Sequence, residues 1–443
     1  MTGSPDDKKF MREKIVKQKE TKSRRAGRFF CLILCAVILG VVAAVSFVVS
    51  VPLAERYLKT EDPTTAVAIT IEKDDEPGTT GSTVETEVAM VPEETLPVTE
   101  PAITDEDDVR EIVKEELGQI TWTQEKVRGF NQILTEVGAS AEHSIVTVSS
   151  VKQQVDWFDN PVESAGQYTG VILAVNPTEI VILTGEAALK DADALRVVFH
   201  DGTTAEGVVK MRDSKAGMAV ISVDPTDMSQ LALDNMKVMT LGNSYSVKNG
   251  DLVIAVGSPA GRVYSVKTGN ISYVAKGVQM IDGQSRIFYT DIACNEEMGT
   301  YFLNLSGQLI GWATDGFYTV DNAPDTMIMP ISEYKGALQK LSNGVEVPYF
   351  GITGREVSAA MEAEGIPKGI YITESIAEGP AYAAGIQNGD ILTKMQGDEI
   401  HTIRDFQSKL ETMKSGEEIV VTIERKGIDA YKEIEYRMTI GAR

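Results

Sequence analysis

TGVILAVNPTEIVILTGEAAL, residues Thr169–Leu189, holds two short runs of Val, Ile and Leu separated by an Asn-Pro pair. Branched β-carbons crowd a helical turn but pack well on a pleated surface, so both runs read as strands. Working outward, SIVTV, LRVVF, DLVIAV and QLIGW repeat this texture between Ser144 and about Leu341, with Gly, Asn and Asp between them. Asp201-Gly202 and Ser306-Gly307 fall between such runs, where hairpin turns belong. About a dozen short strands over ~200 residues fit a closed double β-barrel better than a parallel sheet. A helical run at Ser332–Leu341 leads into a second unit, Val345–Arg443, which mixes strands with a helix at Ile403–Met413. The fold class expected is mostly β.

The N-terminal part has a different chemistry. Residues 1–28 hold ten Lys/Arg against four Asp/Glu. Phe29–Ala54, FFCLILCAVILGVVAAVSFVVSVPLA, is uncharged throughout. As a helix rising ~1.5 Å per residue it exceeds the ~30 Å hydrocarbon core, and it is too long for the ~7–15-residue apolar region of a cleavable signal. A single transmembrane helix is expected, with the basic tail cytoplasmic and everything after Ala54 extracytoplasmic. Cys31 and Cys35 lie within the span, so Cys294 has no extracytoplasmic cysteine to pair with. Glu61–Leu117 carries eighteen Asp/Glu and three Lys/Arg with little apolar periodicity before Ile103, the composition of a solvated stalk. Then Val109, Ile112, Val113, Leu117 and Ile120 form one helical stripe, and Val127, Phe130, Ile133, Leu134 and Val137 a second that ends at Gly138. The organisation expected is a cytoplasmic tail (1–28), a membrane span (29–54), a disordered acidic stalk (55–103), a helical connector (104–138), a β-barrel domain (139–343) and a C-terminal domain (345–443).

A formal charge of −23 over 443 residues argues against a nucleic-acid binder, which needs a basic face to displace counterions. Three cysteines exclude a disulfide framework, and three histidines leave little for a metal site. No phosphate-cradling loop is present, so no cofactor is expected.

Five blocks in order resemble the HtrA (DegP-like) family, a trypsin-like protease domain followed by a PDZ domain. Thr169–Leu189 is similar to the segment that ends there in L-T-N-N-H-V, and LRVVFHDGTTAEGVV to the hairpin after it. RDSKAGMAVISV (Arg212–Val223) resembles D-x-x-x-D-L-A-V-L-K-I. LGNSYSVKNGDLVIAVGSPAG (Leu241–Gly261) and TDIACNEEMGTYFLNLSGQLIGW (Thr290–Trp312) resemble the two blocks that end at the family's nucleophile loop. In the C-terminal unit, EGPAYAAGIQNGDIL (Glu378–Leu392) is similar to G-S-P-A-x-x-A-G-L-x-x-G-D-x-I.

The resemblance implies catalytic positions that this chain fills differently: Ala187 for the histidine, Gly217 for the aspartate and Gly299 for the serine. Thr300-Tyr301 stands in place of the following Gly-Gly, and a tyrosine there is expected to resist a positive φ and fill the specificity pocket. Acyl transfer needs a hydroxyl, an imidazole and a carboxylate in register, so the expectation is an inactive homologue, not an enzyme, with a regulatory or chaperone-like role in the envelope. The competing reading is an active endopeptidase of envelope quality control with an atypical nucleophile, the candidates being Thr300 and Cys294, with Asp213 nearby. Asp291 and Asn295 are expected to hold the loop by hydrogen bonds. Tyr349, Phe350, Gly351 and Ile352 resemble the PDZ carboxylate-binding loop, whose successive N–H groups receive a peptide C-terminus while the peptide adds as a strand. Ile403 and Gln407 are groove candidates on the helix opposite. Peptide or protein C-termini are therefore the expected partners, and the resemblance also implies a homotrimer.

Overall fold

Residues 68–75, 123–155, 161–314 and 326–443 are described in the structure, a computed structural model. The basic tail, the apolar run Phe29–Ala54, the first helical stripe and most of the stalk lie outside the described residues. Among the described residues no helix is long and apolar enough to cross a membrane.

Strands β1 (Ile145–Val155), β2 (Pro161–Val175), β3 (Ile180–Gly185), β4 (Ala194–Val198), β5 (Thr204–Asp213) and β6 (Met218–Val223) close a barrel in the order β1-β2-β3-β6-β5-β4. A second barrel runs β10-β11-β12-β9-β8-β7, from β7 (Leu252–Gly257), β8 (Ser265–Met280), β9 (Gly283–Thr290), β10 (Thr300–Leu303), β11 (Leu309–Ala313) and β12 (Thr326–Pro330). The reason for unbroken apolar runs, rather than apolar-polar alternation, is that several strands are covered on both faces. On β3, Ile180 and Ile182 enter the core of the first barrel, while Val181 and Leu183 face the core between the barrels. On β7, Val253 and Ala255 fill the second barrel, and Ile254 and Val256 meet that same shared core. At ~1.5–3 kcal/mol per buried large apolar side chain, the shared core fixes one barrel against the other. The expected turns are present: Gly202 (φ 85°) links β4 to β5 and Gly307 (φ 74°) links β10 to β11.

Helix α1 (Gln124–Ala141) starts at Thr123, whose Oγ1 accepts the Lys126 N–H, and continues one turn past Gly138. It buries Leu134, Gly138 and Ala141 and leaves Val127, Phe130 and Ile133 exposed. The short helix α2 (Gln230–Asn235) links the barrels, and α3 (Ile331–Ser342) follows β12. Residues 68–75, which composition assigns to a free stalk, instead run along α3. Asn343 accepts the Ile69 N–H and donates to its carbonyl, and Asp74 pairs with the buried Lys335 at 2.7 Å and receives the Ser332 hydroxyl at 2.5 Å.

The C-terminal unit is a sheet ordered β14-β15-β16-β18-β19, made of β14 (Ile352–Glu356), β15 (Ile370–Ser375), β16 (Ile391–Met395), β18 (Glu418–Lys426) and β19 (Tyr431–Thr439), with β17 (Asp398–Glu399) beside β16. A small pair, β13 (Pro348–Tyr349) with β20 (Gly441–Ala442), returns the chain end to its beginning. Two helices, α4 (Ala359–Ala363) and α5 (Pro380–Ala384), are single turns. The third, α6 (Ile403–Thr412), begins in a capping box between Thr402 and Asp405 and buries Ile403, Phe406 and Leu410. Phe350 meets Phe406 edge to face at 5.3 Å.

One ion pair ties β16 to β18. The Asp390 carboxylate, 1% exposed, receives Arg425 Nε and Nη2 at 2.7 Å each, and the Gln387 N–H at 2.8 Å. Removing the buried carboxylate leaves the Gln387 N–H without its acceptor and the partly exposed Arg425 without its counter-charge, so Asp390→Ala is expected to cost about 2 kcal/mol. A lower urea midpoint for the unfolding of the C-terminal unit, followed by hydrogen exchange in β16 and β18, is the check.

Candidate functional site

Between the barrels lies a cavity of about 450 Å³ whose walls include Ala187, Gly217 and Gly299. The three positions come from separate elements. Ala187 sits in the single 3₁₀ turn Glu186–Leu189 after β3, Gly217 (φ 64°) in the turn before β6, and Gly299 (φ 84°) directly before β10. The Glu186 N–H donates to the Gly217 carbonyl at 2.8 Å, which locks the first two turns together. The Gly299 carbonyl receives the Ser258 N–H at 3.0 Å, and Ser258 shares a buried 2.7 Å hydroxyl contact with Thr169. A β-carbon built on Gly299 would lie 3.0 Å from the Thr169 carbonyl oxygen. Glycine is therefore required at 299 both by φ and by the close approach of β2.

The remaining cleft chemistry is carried by other side chains. Glu186, Glu297, Lys190, Arg212 and Thr300 face the same cavity. The Ser214 hydroxyl donates to Glu186 Oε1 at 2.6 Å, and Thr300 Oγ1 donates to the Asn295 carbonyl at 2.8 Å. Burial pushes the Cys294 thiol up, and its Sγ sits 3.7 Å from Thr326 Oγ1, so it is held as a neutral thiol. Asp213 is fully buried, accepting the Lys215 and Ala216 N–H groups and the Tyr334 hydroxyl at 3.0 Å. The histidines are elsewhere: His143 and His200 lie 4.7 Å apart centroid to centroid, and His401 contacts Glu399 at 3.0 Å. Asp291 holds Asn270 at 2.7 Å, and Asn295 holds the Met298 N–H at 2.9 Å.

Tyr301 avoids a positive φ, as expected, by belonging to a strand. It lies in β10 and has no positive φ; that conformation falls to Gly299, two residues earlier. Its ring is 1% exposed in the core between the barrels, and its hydroxyl donates to the Leu183 carbonyl at 3.2 Å. Burial pushes the phenol far above its ordinary pKa, so the ring serves as a neutral wall of the cleft.

In the C-terminal unit, the N–H groups of Phe350, Gly351 and Ile352 converge. They meet on the carboxylate of Asp282: Phe350 N–H on Oδ2 at 2.8 Å, Gly351 and Ile352 N–H on Oδ1 at 2.7 and 3.0 Å. Asp282 (φ 60°) stands at the tip of the two-residue turn between β8 and β9, on the second barrel. It is 2% exposed, and burial pushes its carboxyl up against the opposing pull of Arg443 and the three amides. Its own N–H donates to the Ile352 carbonyl at 2.7 Å. The groove candidates flank this contact. Gln407 Nε2 donates to the Gln284 carbonyl at 3.2 Å, and Gly283 lies so close to Gln407 that a β-carbon would stand 2.2 Å from its amide nitrogen. Ile403 is buried at the start of α6, its N–H on Glu356 Oε1 at 3.0 Å, and Tyr349 and Phe350 are buried too. Asp282 was not among the residues expected from sequence. Its signal is an Asp-Gly pair at a hairpin tip, which looks the same whether or not the carboxylate has a partner.

A barrel cleft with a carboxylate-binding loop beside it defines a class of protein: a trypsin-like peptidase scaffold joined to a PDZ domain. The family model described as "Trypsin-like peptidase domain" matches residues 168–311, and that described as "PDZ domain" matches 348–435. The chain belongs to the HtrA-like family. It is 29% identical to the serine protease Do-like HtrA of Lactobacillus helveticus, over 62% of this chain and 69% of the relative. It is 26% identical to the serine protease Do-like HtrB of Bacillus subtilis, over 58% of this chain and 59% of the relative. The periplasmic pH-dependent serine endoprotease DegQ of Escherichia coli is 23% identical over 63% and 60%. Among solved structures, the HtrA-type protease AlgW with decapeptide shares the fold at a TM-score of 0.50 and 19% identity, covering 70% of this chain and 98% of that one. These relatives correct the expectation that the chain is not an enzyme, because they are named as serine proteases and endoproteases.

A serine placed at position 299 puts a side chain into the left-handed region, at about 1–2 kcal/mol, and against the Thr169 carbonyl. Gly299→Ser is expected to lower thermal stability by several degrees without adding a reactive hydroxyl. Calorimetry and labelling by a fluorophosphonate probe test both parts.

Proposed function

We propose that the chain is a membrane-anchored, extracytoplasmic HtrA-like endopeptidase of envelope proteins, which captures substrate or partner C-termini at its PDZ domain and acts on them in the cleft between the barrels. The observation that carries the reading is the convergence of three backbone N–H groups, from Phe350, Gly351 and Ile352, on one carboxylate. Converging amides favour an anion because each N–H dipole adds to the same field. The edge of β14 begins beside them, where an extended peptide can pair, and α6 with Ile403 and Gln407 forms the opposite wall. The N-terminal run Phe29–Ala54 with its basic flank supports a single span with the N-terminus in the cytoplasm. Assembly as a homotrimer is carried over from the family resemblance.

In the cleft, the residues proposed at the family's triad positions are Ala187, Gly217 and Gly299. Hydrolysis therefore needs another oxygen nucleophile, and Thr300 is the proposed source: it follows Gly299 and lines the cavity, and to act it must release its hydrogen bond to the Asn295 carbonyl. Glu186 and Glu297, which line the same cavity, are the candidate proton acceptors.

The full chain in mild detergent is expected to digest unfolded casein. Thr300→Val, which keeps the shape and removes the hydroxyl, should lower kcat/KM at least about a thousandfold. Intact casein with the wild-type protein would remove the endopeptidase half of the reading, and an unaffected Thr300→Val would remove Thr300. The capture half has its own measurement: short peptides with a free α-carboxylate should bind, and the same peptides amidated should not.

A further inference from the structure

The site that would receive a C-terminus is already filled by the protein's own hairpin. We propose that the β8–β9 hairpin is a built-in ligand that holds the peptide site shut, with the Asp282 carboxylate standing where an incoming α-carboxylate would bind; the inference rests on the capture reading above. The mimicry extends beyond one charge. Asp282 uses both carboxylate oxygens on three successive N–H groups, and its own N–H returns to the Ile352 carbonyl at 2.7 Å. That reciprocal bond is the first rung an added strand would make on β14. Gly283 then passes under Gln407 with no room for a side chain, and Gln407 binds the Gln284 carbonyl. On the other side of the tip, the Gln279 amide reaches the Thr373 hydroxyl on β15.

Two further features belong to the closed arrangement. Arg443, at the chain end, lines the same small cavity as Asp282 and adds positive potential at the carboxylate. The segment 68–75, docked on α3, reaches across to α6 through an ion pair between Lys73 and Glu411. The groove helix is thus tied to the barrels by a contact separate from the hairpin.

A peptide can enter only when the hairpin leaves, so its apparent affinity is its intrinsic affinity scaled by the fraction of open molecules. The ligand that opens the site has a free α-carboxylate and an extended last few residues. Its binding removes the principal polar tie between the second barrel and the PDZ domain.

The test uses the full chain in detergent as wild type, Asp282→Asn and Asp282→Ala. The asparagine keeps the shape and tolerates the positive φ, so it reports on charge without the risk of misfolding carried by alanine. Hydrogen exchange at Phe350, Gly351 and Ile352 is expected to quicken at least about tenfold in both variants, while the amides of Phe406 and Leu410 keep their protection. Pooled short peptides with free C-termini, followed by fluorescence anisotropy, should bind the variants at least about tenfold more tightly than wild type, and amidated peptides should bind none of the three. Unchanged exchange at the loop, or equal affinity for wild type and variants, overturns the latch and leaves capture standing. Faster exchange with no carboxylate-dependent binding by any form overturns the capture reading, and with it the assignment of a ligand role to Asp282.

Discussion

Asp213 ends β5 as a fully buried carboxylate, and much of the molecule is arranged around it. It accepts the N–H groups of Lys215 and Ala216, which curls the chain into the turn that presents Gly217 to the cleft. It accepts the hydroxyl of Tyr334 on α3, and the Arg443 guanidinium lies 3.8 Å away. Burial, with the Asp213 charge beside it, raises the Tyr334 phenol well above its ordinary pKa, so that ring stays a neutral donor. A buried charge is tolerated only when its hydrogen bonds are complete. Completing them here requires the first barrel and the helix after the second barrel to be in register, and the nearby Arg443 guanidinium adds a compensating charge. The ring of Tyr334 packs edge-on to Trp312 at 5.0 Å, which continues the arrangement into the core between the barrels.

That arrangement explains how the cleft keeps its shape with such small residues at its centre. Its walls are set by backbone: the Glu186 N–H on Gly217, the Ser258 N–H on Gly299, and the Thr169 N–H on Met298 at 2.8 Å. Tyr301 fills the space between the barrels from within a strand. The cavity persists as a consequence of packing, and its chemistry is set separately by the carboxylates, cations and hydroxyls on its rim.

Much of the fold was legible because its signals are local. β-Branched runs and Gly turns need only neighbouring residues to be read, and the double-sided burial of β3 and β7 follows from the lack of polar alternation. The convergence of the Phe350, Gly351 and Ile352 N–H groups was also legible, since a backbone nest is written in a short string. What sequence could not supply was long-range partnership. Asp282 lies 68 to 70 residues before the amides it binds, and Asp-Gly reads as an ordinary hairpin tip. That Tyr301 already belongs to a strand, with the positive φ falling on Gly299, is likewise set by pairing with a strand distant in sequence. The chemistry of the cleft was the least legible part, because the residues at the positions inferred from family resemblance differ from the family's own, and the proteins that share the fold are named for an activity.

The docking of residues 68–75 on α3 also places Glu72, Asp74 and Asp75 against the folded body, with Asp74 on the buried Lys335. Acidity that composition alone assigns to a solvated spacer is, for these three carboxylates, a fixed local field at the surface of the barrels.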